Sequence, residues 1–472
     1  MRGMRLVSRK FRSSCKNRRA RGAGFIGLSI GTVRQGGFHG GDTIHMDDSL
    51  PFSSVPALWA LAIGALAWTL PRARRRLQLS RAKHRSLAGH ARIARRVAAL
   101  IPGYAYDEAS FFASDGAPDA VQAQRRAGLD RLAAVFEQRW PISAATTAAA
   151  RELLPDLHFT SRYRVPFQYS PYLRQRLKLG GFVAQRRRRG RGPGRQPLHR
   201  PRRLLWRQPV RPDFYKDCIA EAVTQVQALG PVLGSPHPCV LDNVRRLARL
   251  SGLDEVSFHM SGTEAVMQAV RLARYHTGAA TWCASAAPTT AGGRTCSPAP
   301  GNPLPPRDTY TLRDMDERSL QVLRTRRDIA CVLVNPLQAC TPTATRRATP
   351  RWSTAAARAG VDREAYTRWL QQLREVCSER GIVLIFDEVF VGFRLAAGGA
   401  QEYFGVRADM VTYGKTLGGG LPVGVVCGRR ELMQRWREQR PADICFARGT
   451  FNSHPYVMAA MKAFLERLER PR

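Results

Sequence analysis

Lysine is nearly missing from this 472-residue chain, with seven lysines beside 68 arginines. Acids are scarce too: 36 against 75 bases leave a formal charge of +39. Three acid-free stretches hold most of that excess. Residues 1–21 carry nine bases, residues 72–96 carry ten, and residues 186–211 carry eleven arginines. Excess positive charge points toward nucleic acid or anionic lipid. Here the near-exclusive use of arginine reads as coding bias, and neither aromatic interleaving nor a nucleic-acid module accompanies it. Nucleic-acid binding is not expected. Closely paired cysteines are missing as well. Ten cysteines run from Cys15 to Cys445 with no Cys-x-x-Cys, so neither a metal site nor a disulfide framework is indicated. Reduced thiols in a cytosolic compartment are the reading.

Long apolar runs are absent with one exception. Val55 to Leu70 is sixteen uncharged, mostly apolar residues, followed at once by Arg72, Arg74, Arg75 and Arg76. As a helix it rises about 24 Å, against a hydrocarbon core of roughly 30 Å. Snorkelling arginines can cover the difference. No base lies in residues 35–54 while ten follow in residues 72–96, which places the C-terminal side on the cytoplasmic face. The expectation is a membrane-associated chain with a single N-terminal anchor.

The organisation expected is a basic, disordered extension over residues 1–54 and a transmembrane anchor over 55–70. A basic juxtamembrane and helical region over 71–183, an unstructured arginine-rich segment over 184–212 and an α/β domain over 213–472 follow. Within the helical region, Val121, Leu129, Leu132, Val135 and Phe136 recur at helical spacing before Pro141. Tyr163, Phe167, Tyr169 and Tyr172 form an aromatic cluster read as packing. From Asp213 onward short apolar runs alternate with helical patterns. Strands are expected at Val256–Phe258, Ile329–Val334, Ile382–Phe386, Met410–Tyr413 and Val423–Cys427. Helices are expected at Glu264–His276, Asp362–Arg380 and Pro455–Leu468. Such alternation implies a mostly parallel sheet covered on both faces.

Gly414-Lys415-Thr416 looks like the end of a phosphate-cradling P-loop, but the required upstream glycine is Asp409, whose charge would repel a triphosphate. Lys415 reads better as an amine on the loop after a buried strand, a Schiff-base lysine with Gly418, Gly419 and Gly420 letting backbone approach a flat cofactor. The apolar run Ile382–Phe386 ends in Asp387-Glu388, which puts a carboxylate at the sheet's C-terminal edge, where open α/β sheets bind ligands. Asp387 could there hold a pyridine nitrogen protonated. Ser261-Gly262-Thr263 opens a helix directly after a strand, and its free N–H groups and hydroxyls suit a phosphate.

In this order, VSFHMSGTEAVMQAVRLAR, LIFDEVFVGFR, TYGKTLGGGLPVG and RGTFNSHP resemble the motifs of class III aminotransferases. The nearest in character are glutamate-1-semialdehyde aminomutase and the aminotransferase modules of polyketide–peptide synthases. The resemblance implies the large domain of the fold type I PLP-dependent transferases, with pyridoxal 5′-phosphate as cofactor. It implies that Ser261, Gly262 and Thr263 bind the cofactor phosphate, that Asp387 pairs with the pyridinium and that Val389 packs on one ring face. Lys415 would carry the cofactor and act as general base and acid. Thr450 would reach the phosphate of a neighbouring subunit, which implies a homodimer. The substrates implied are a small amino donor and a carbonyl acceptor.

The pattern also breaks. The aromatic-His-Gly turn that the family stacks on the cofactor has no counterpart at residues 279–301, which read as structureless. Asn335-Pro336 replaces Glu-Pro, residues 340–358 lose the pattern, and the family's C-terminal small domain is expected to be truncated. Abrupt Arg/Pro/Ala-rich departures followed by full recovery read as compensating shifts of reading frame. Two alternatives therefore stand beside an active enzyme: an inactive aminotransferase remnant, and a membrane-anchored basic interaction protein.

Overall fold

The computed structural model describes residues 55–82, 108–113, 115–154, 173, 176–177, 185–186, 190–191, 197–198, 212–229, 236–284, 308–336 and 363–470. The aromatic cluster at Tyr163–Tyr172 and the segments 286–301 and 340–358 lie outside the described residues.

The C-terminal part is built on a seven-stranded sheet. Its strands are β1 (Glu255–His259), β2 (Thr281–Ala284), β3 (Thr309–Thr311), β4 (Ile329–Val334), β5 (Val383–Asp387), β6 (Met410–Gly414) and β7 (Gly424–Gly428). The order across the sheet is β1-β7-β6-β5-β4-β2-β3. All neighbours pair in parallel except β7, which runs antiparallel to both β6 and β1. A strand buried on both faces needs apolar side chains on both, so β5 reads as an unbroken apolar run before its aspartate. Leu384 and Phe386 pack into one core, and Val383 and Ile385 into the other.

Helices cover both cores. On one face lie α1 (Pro212–Val226), α2 (Cys239–Ser251), α4 (Arg363–Arg380) and α6 (Pro455–Glu469), and on the other α3 (Gly262–Thr277), while the short α5 (Gly399–Phe404) follows β5. Ser261 caps α3: its Oγ accepts the Glu264 backbone N–H at 3.1 Å, and Glu264 Oε2 accepts the Met260 N–H at 3.0 Å. This reciprocal pairing satisfies two donors at the helix start.

The five expected strands and three expected helices are present within two residues of their expected bounds. Three other expectations need correction. Residues 281–284, taken as structureless, form the fully buried strand β2, with Trp282 among the largest enclosed side chains. Pairing with β3 on one side and β4 on the other outweighs the strand's shortness. The segment 184–212, expected to be unstructured, contains three two-residue strands (Gln185–Arg186, Gly190–Arg191, Pro197–Leu198) in an antiparallel set. Main-chain pairing of this kind needs no apolar side chains.

The membrane anchor is the third. A helix spans Val55–Ala82, so the apolar run continues directly into its arginines. Among the described residues no helix is long and apolar enough to cross a membrane. The last turn of this helix joins the core instead: Leu79 and Ala82 pack there, and the Ala82 carbonyl accepts the Arg313 N–H at 3.1 Å. Further along, helices at Glu108–Ala113, Asp119–Arg139 and Pro141–Leu153 form the expected helical region. Periodicity overstated its burial, because Leu129 and Ala133 are enclosed while Val121, Leu132 and Val135 are exposed.

Candidate active site

Three segments converge at the C-terminal ends of β5 and β6. A Cβ added at Gly262 would lie 2.4 Å from Val389 Cγ1, and one at Gly414 would lie 3.2 Å from the same atom and 3.5 Å from Gly262 Cα. The start of α3, the turn after β5 and the end of β6 therefore touch with no room for a side chain at either glycine. The convergence brings Ser261, Gly262 and Thr263 beside Val389 and places Lys415 one residue beyond the contact.

Asp387 ends β5 fully buried, opposite Thr412 of β6 in the strand register. Its Oδ1 accepts the Val389 backbone N–H at 3.2 Å. That bond ties the carboxylate to the residue that fills the gap between the glycines. Lys415 has φ 51°, a left-handed conformation that costs a non-glycine residue energy and recurs at functional positions. Its Nζ lies 4.8 Å from the Phe390 ring centroid, and the Arg394 guanidinium carbon lies 4.6 Å from the same centroid. Sequence reasoning missed Phe390 and Arg394, since nothing in their spacing marks them.

The triple glycine after Lys415 does different work from that expected. A Cβ at Gly419 would meet the Ala460 carbonyl of α6 at 2.3 Å, and one at Gly420 would meet Tyr215 of α1 at 3.2 Å. These glycines let two helices close on the loop, and their close neighbours are protein backbone and side chains. Tyr215 is thereby held against the Lys415 loop. It is buried, its hydroxyl has no partner among the described residues, and burial pushes its pKa up to about 12.

Glu388 points away from Asp387, as alternation along an extended chain requires. Its carboxyl is enclosed, Oε2 accepts the Ala400 N–H at 2.8 Å, and burial raises its pKa to about 7. Gly399, at φ 74°, packs so closely that a Cβ there would lie 2.2 Å from Oε2. On β1, His259 is buried with Nε2 3.1 Å from Ser257 Oγ, and burial lowers its pKa to about 4. It is neutral at pH 7.

Gly449 reaches the same helix start: a Cβ there would lie 3.0 Å from Glu264 Oε1. Thr450 follows it, exposed. Within one chain this motif thus borders the first turn of α3, whereas the resemblance assigns Thr450 to a neighbouring subunit.

The family model for aminotransferase class-III matches residues 357–472, a span holding Asp387, Val389, Lys415 and Thr450. This region is similar to the aminotransferase class-III family. A glutamate-1-semialdehyde 2,1-aminomutase from Methanocaldococcus jannaschii is 33% identical over 274 residues, covering 54% of this chain and 58% of that protein. The chain thus spans under two thirds of that relative's length. Among solved structures, a transaminase with PLP bound is similar at 26% identity and a TM-score of 0.53, over 70% of this chain and 74% of that one. A glutamate-1-semialdehyde aminomutase from Pseudomonas aeruginosa PAO1 shares the fold at a TM-score of 0.54 and 18% identity, over 74% and 75% of the two chains. The class-III resemblance read from four motifs and the α/β transferase fold agree with these matches. Ser261, Gly262 and Thr263 precede the span that the family model matches, and join it through the contacts with Val389 and Gly414.

Proposed function

We propose that the chain is a pyridoxal 5′-phosphate-dependent aminotransferase or aminomutase, acting on a small amino donor and a carbonyl acceptor. The observation that carries this is the convergence of Gly262, Val389 and Gly414, with the buried Asp387 bonded to the Val389 N–H and Lys415 next to Gly414. The residues fit the cofactor chemically. A fully enclosed carboxylate favours a cationic partner, which a protonated pyridine nitrogen provides. Val389 offers an apolar surface to a flat ring, and the hydroxyls of Ser261 and Thr263 with the first N–H groups of α3 suit a phosphate. Lys415 supplies the primary amine that bonds to the cofactor.

Bound pyridoxal phosphate supplies an electron sink when a substrate C–H bond breaks. Asp387 keeps the ring nitrogen protonated, and its bond to the Val389 N–H fixes its direction. With the cofactor bound, the Lys415 amine would take the proton from the substrate carbon and return it at the other end of the transfer. Thr450 contributes to a phosphate site across a homodimer in this reading.

Borohydride reduction of the loaded chain tests the assignment. Cofactor should be fixed on Lys415, and Lys415→Ala should abolish the label. Labelling at any of the other six lysines would overturn it.

A further inference from the structure

His259 ends β1 with its side chain fully enclosed, and its Nδ1 has no hydrogen-bond partner among the described residues. The groups around the ring decide which nitrogen carries the proton. Nε2 lies 3.1 Å from Ser257 Oγ, and that oxygen also receives an N–H from the Arg435 guanidinium, which can only donate. The described residues bring the Ser257 hydroxyl no other acceptor, so its own proton points to Nε2. Burial, with the Arg435 charge beside it, lowers the pKa of His259 to about 4. At pH 7 the ring therefore holds a single proton, and it sits on Nδ1.

Nδ1 faces an acid. Glu264 Oε1 is 3.9 Å away, and an N–H aimed at a carboxylate attracts it where a bare lone pair would repel it. Glu264 is the residue whose Oε2 accepts the Met260 N–H and whose own N–H donates to Ser261 Oγ. A carboxylate in the first turn favours a helix start that holds nothing else. It opposes an anion bound at the same turn, because like charges repel. Gly449 lets Oε1 keep its place beside the ring, since a Cβ there would lie 3.0 Å from that oxygen.

We propose that His259 is a positioning residue for the cofactor phosphate. Its Nδ1–H, backed by Ser257 and Arg435, draws the Glu264 carboxylate toward β1 and offsets its charge, so that a phosphate can settle on the first N–H groups of α3. The inference rests on the function proposed above, and adds the side chain that reconciles an acid and a phosphate at one helical turn. Through the Met260 N–H and the Ser261 cap, the same carboxylate also fixes the direction of those N–H groups.

Two substitutions separate the two ring nitrogens. His259→Asn keeps an amide N–H where Nδ1 stands, whereas His259→Gln keeps a polar atom only where Nε2 stands. Absorbance on titration of the full chain gives its affinity for pyridoxal phosphate and for pyridoxal, which lacks the phosphate. The ratio of the two affinities should fall about ten-fold in His259→Gln and hold in His259→Asn. A residue that only fills space would weaken both ligands alike, with the smaller asparagine the worse of the two, and that result would overturn the proposal. Ring nitrogen chemical shifts of the cofactor-free chain, with the His259 signals assigned by their loss in His259→Gln, should show the proton on Nδ1. A proton on Nε2 would overturn the proposal as well. Should His259→Gln fail to fold, Ser257→Ala removes one oxygen, frees Nε2 to take the proton and should lower the ratio too. A ratio unchanged in these variants, with the Lys415 label intact, would sink the role of His259 and leave the proposed function standing. Absent Lys415 labelling would overturn the function, and calorimetry of inorganic phosphate with the cofactor-free chain would then decide. Phosphate binding weakened in His259→Gln and kept in His259→Asn upholds the role of His259; binding that is undetectable, or equal in the two variants, overturns it.

Discussion

Gly424→Ala should disable the site without replacing any residue assigned to the cofactor. Gly424 opens β7 and pairs with Gly414 on one side and His259 on the other. A Cβ there would lie 1.9 Å from the Ser261 carbonyl oxygen, 2.4 Å from its carbon and 3.0 Å from the Gly262 nitrogen. All three are backbone atoms, so no rotamer change relieves the clash. Reaching ordinary contact at 3.4 Å requires the start of α3 to move by about 1.5 Å. Overpacking of this kind costs about 1–3 kcal/mol, which for a chain of this size lowers the thermal midpoint by only about 1–3 °C. The larger effect falls on geometry, since a shift of about 1 Å at a positioned group can cost about a hundred-fold. Cofactor affinity, read from absorbance on titration with pyridoxal phosphate, should weaken by that order. Gly428→Ala, at the far end of the same strand, is the control. Its nearest neighbour is the flexible Met433 sulfur at 2.8 Å, so affinity should hold. If Gly424→Ala binds cofactor as tightly as Gly428→Ala, the idea that β7 sets the position of Ser261 is wrong.

Two further outcomes are expected. Glu388 has its folded pKa raised from 4.5 to about 7, so the folded state holds this proton more tightly than the unfolded chain. The resulting penalty is absent below the unfolded pKa, grows as pH rises from about 4.5 to 7, and amounts to roughly 3 kcal/mol above that. Glu388→Gln keeps an acceptor for the Ala400 N–H, and urea unfolding should show its stability exceeding the parent's at pH 8 and matching it near pH 4. Asp409, 5% exposed, accepts the Leu384 N–H at 2.7 Å and pairs with Arg374 at 2.8 Å. Asp409→Ala should cost about 3–5 kcal/mol in urea unfolding, because it leaves Arg374 and a buried N–H unmatched; a loss under about 1 kcal/mol would contradict that role.

What could be read from the sequence was what local pattern encodes. A strand buried on both faces must be apolar at every position, so Val383 to Phe386 was visible as a strand and Asp387 as the residue that ends it. Ser261 before an amphipathic run announced a helix start. Thr281 to Ala284 was not visible, because four residues beside an Ala/Ser/Pro-rich stretch carry no period of their own, and their neighbours β3 and β4 are supplied from later in the chain. Gly418 to Gly420 was visible as a point of close approach, but sequence could not say what approaches, and the answer is α6 and α1. The Arg394–Tyr215 pair was hidden for the same reason: its members lie far apart in the sequence, and only folding makes them neighbours. The run Val55 to Leu70 misled in the other direction, since apolar composition could not reveal that the helix continues through the arginines to the core.

The antiparallel strand β7 also dictates when the site can come into being. It joins Glu255–His259 to Met410–Gly414, so the segment bearing Ser261 has no place in the sheet until residues 424–428 arrive. As the chain leaves the ribosome, the start of α3 is made early and must wait through most of the domain's synthesis. A pairing that closes so long a loop forms slowly, because its entropy must be spent before its contacts return anything. Throughout that interval β1 is an unpaired edge, open to the wrong neighbour. Competence to hold cofactor therefore arrives near the end of folding, in one step, when β7 docks.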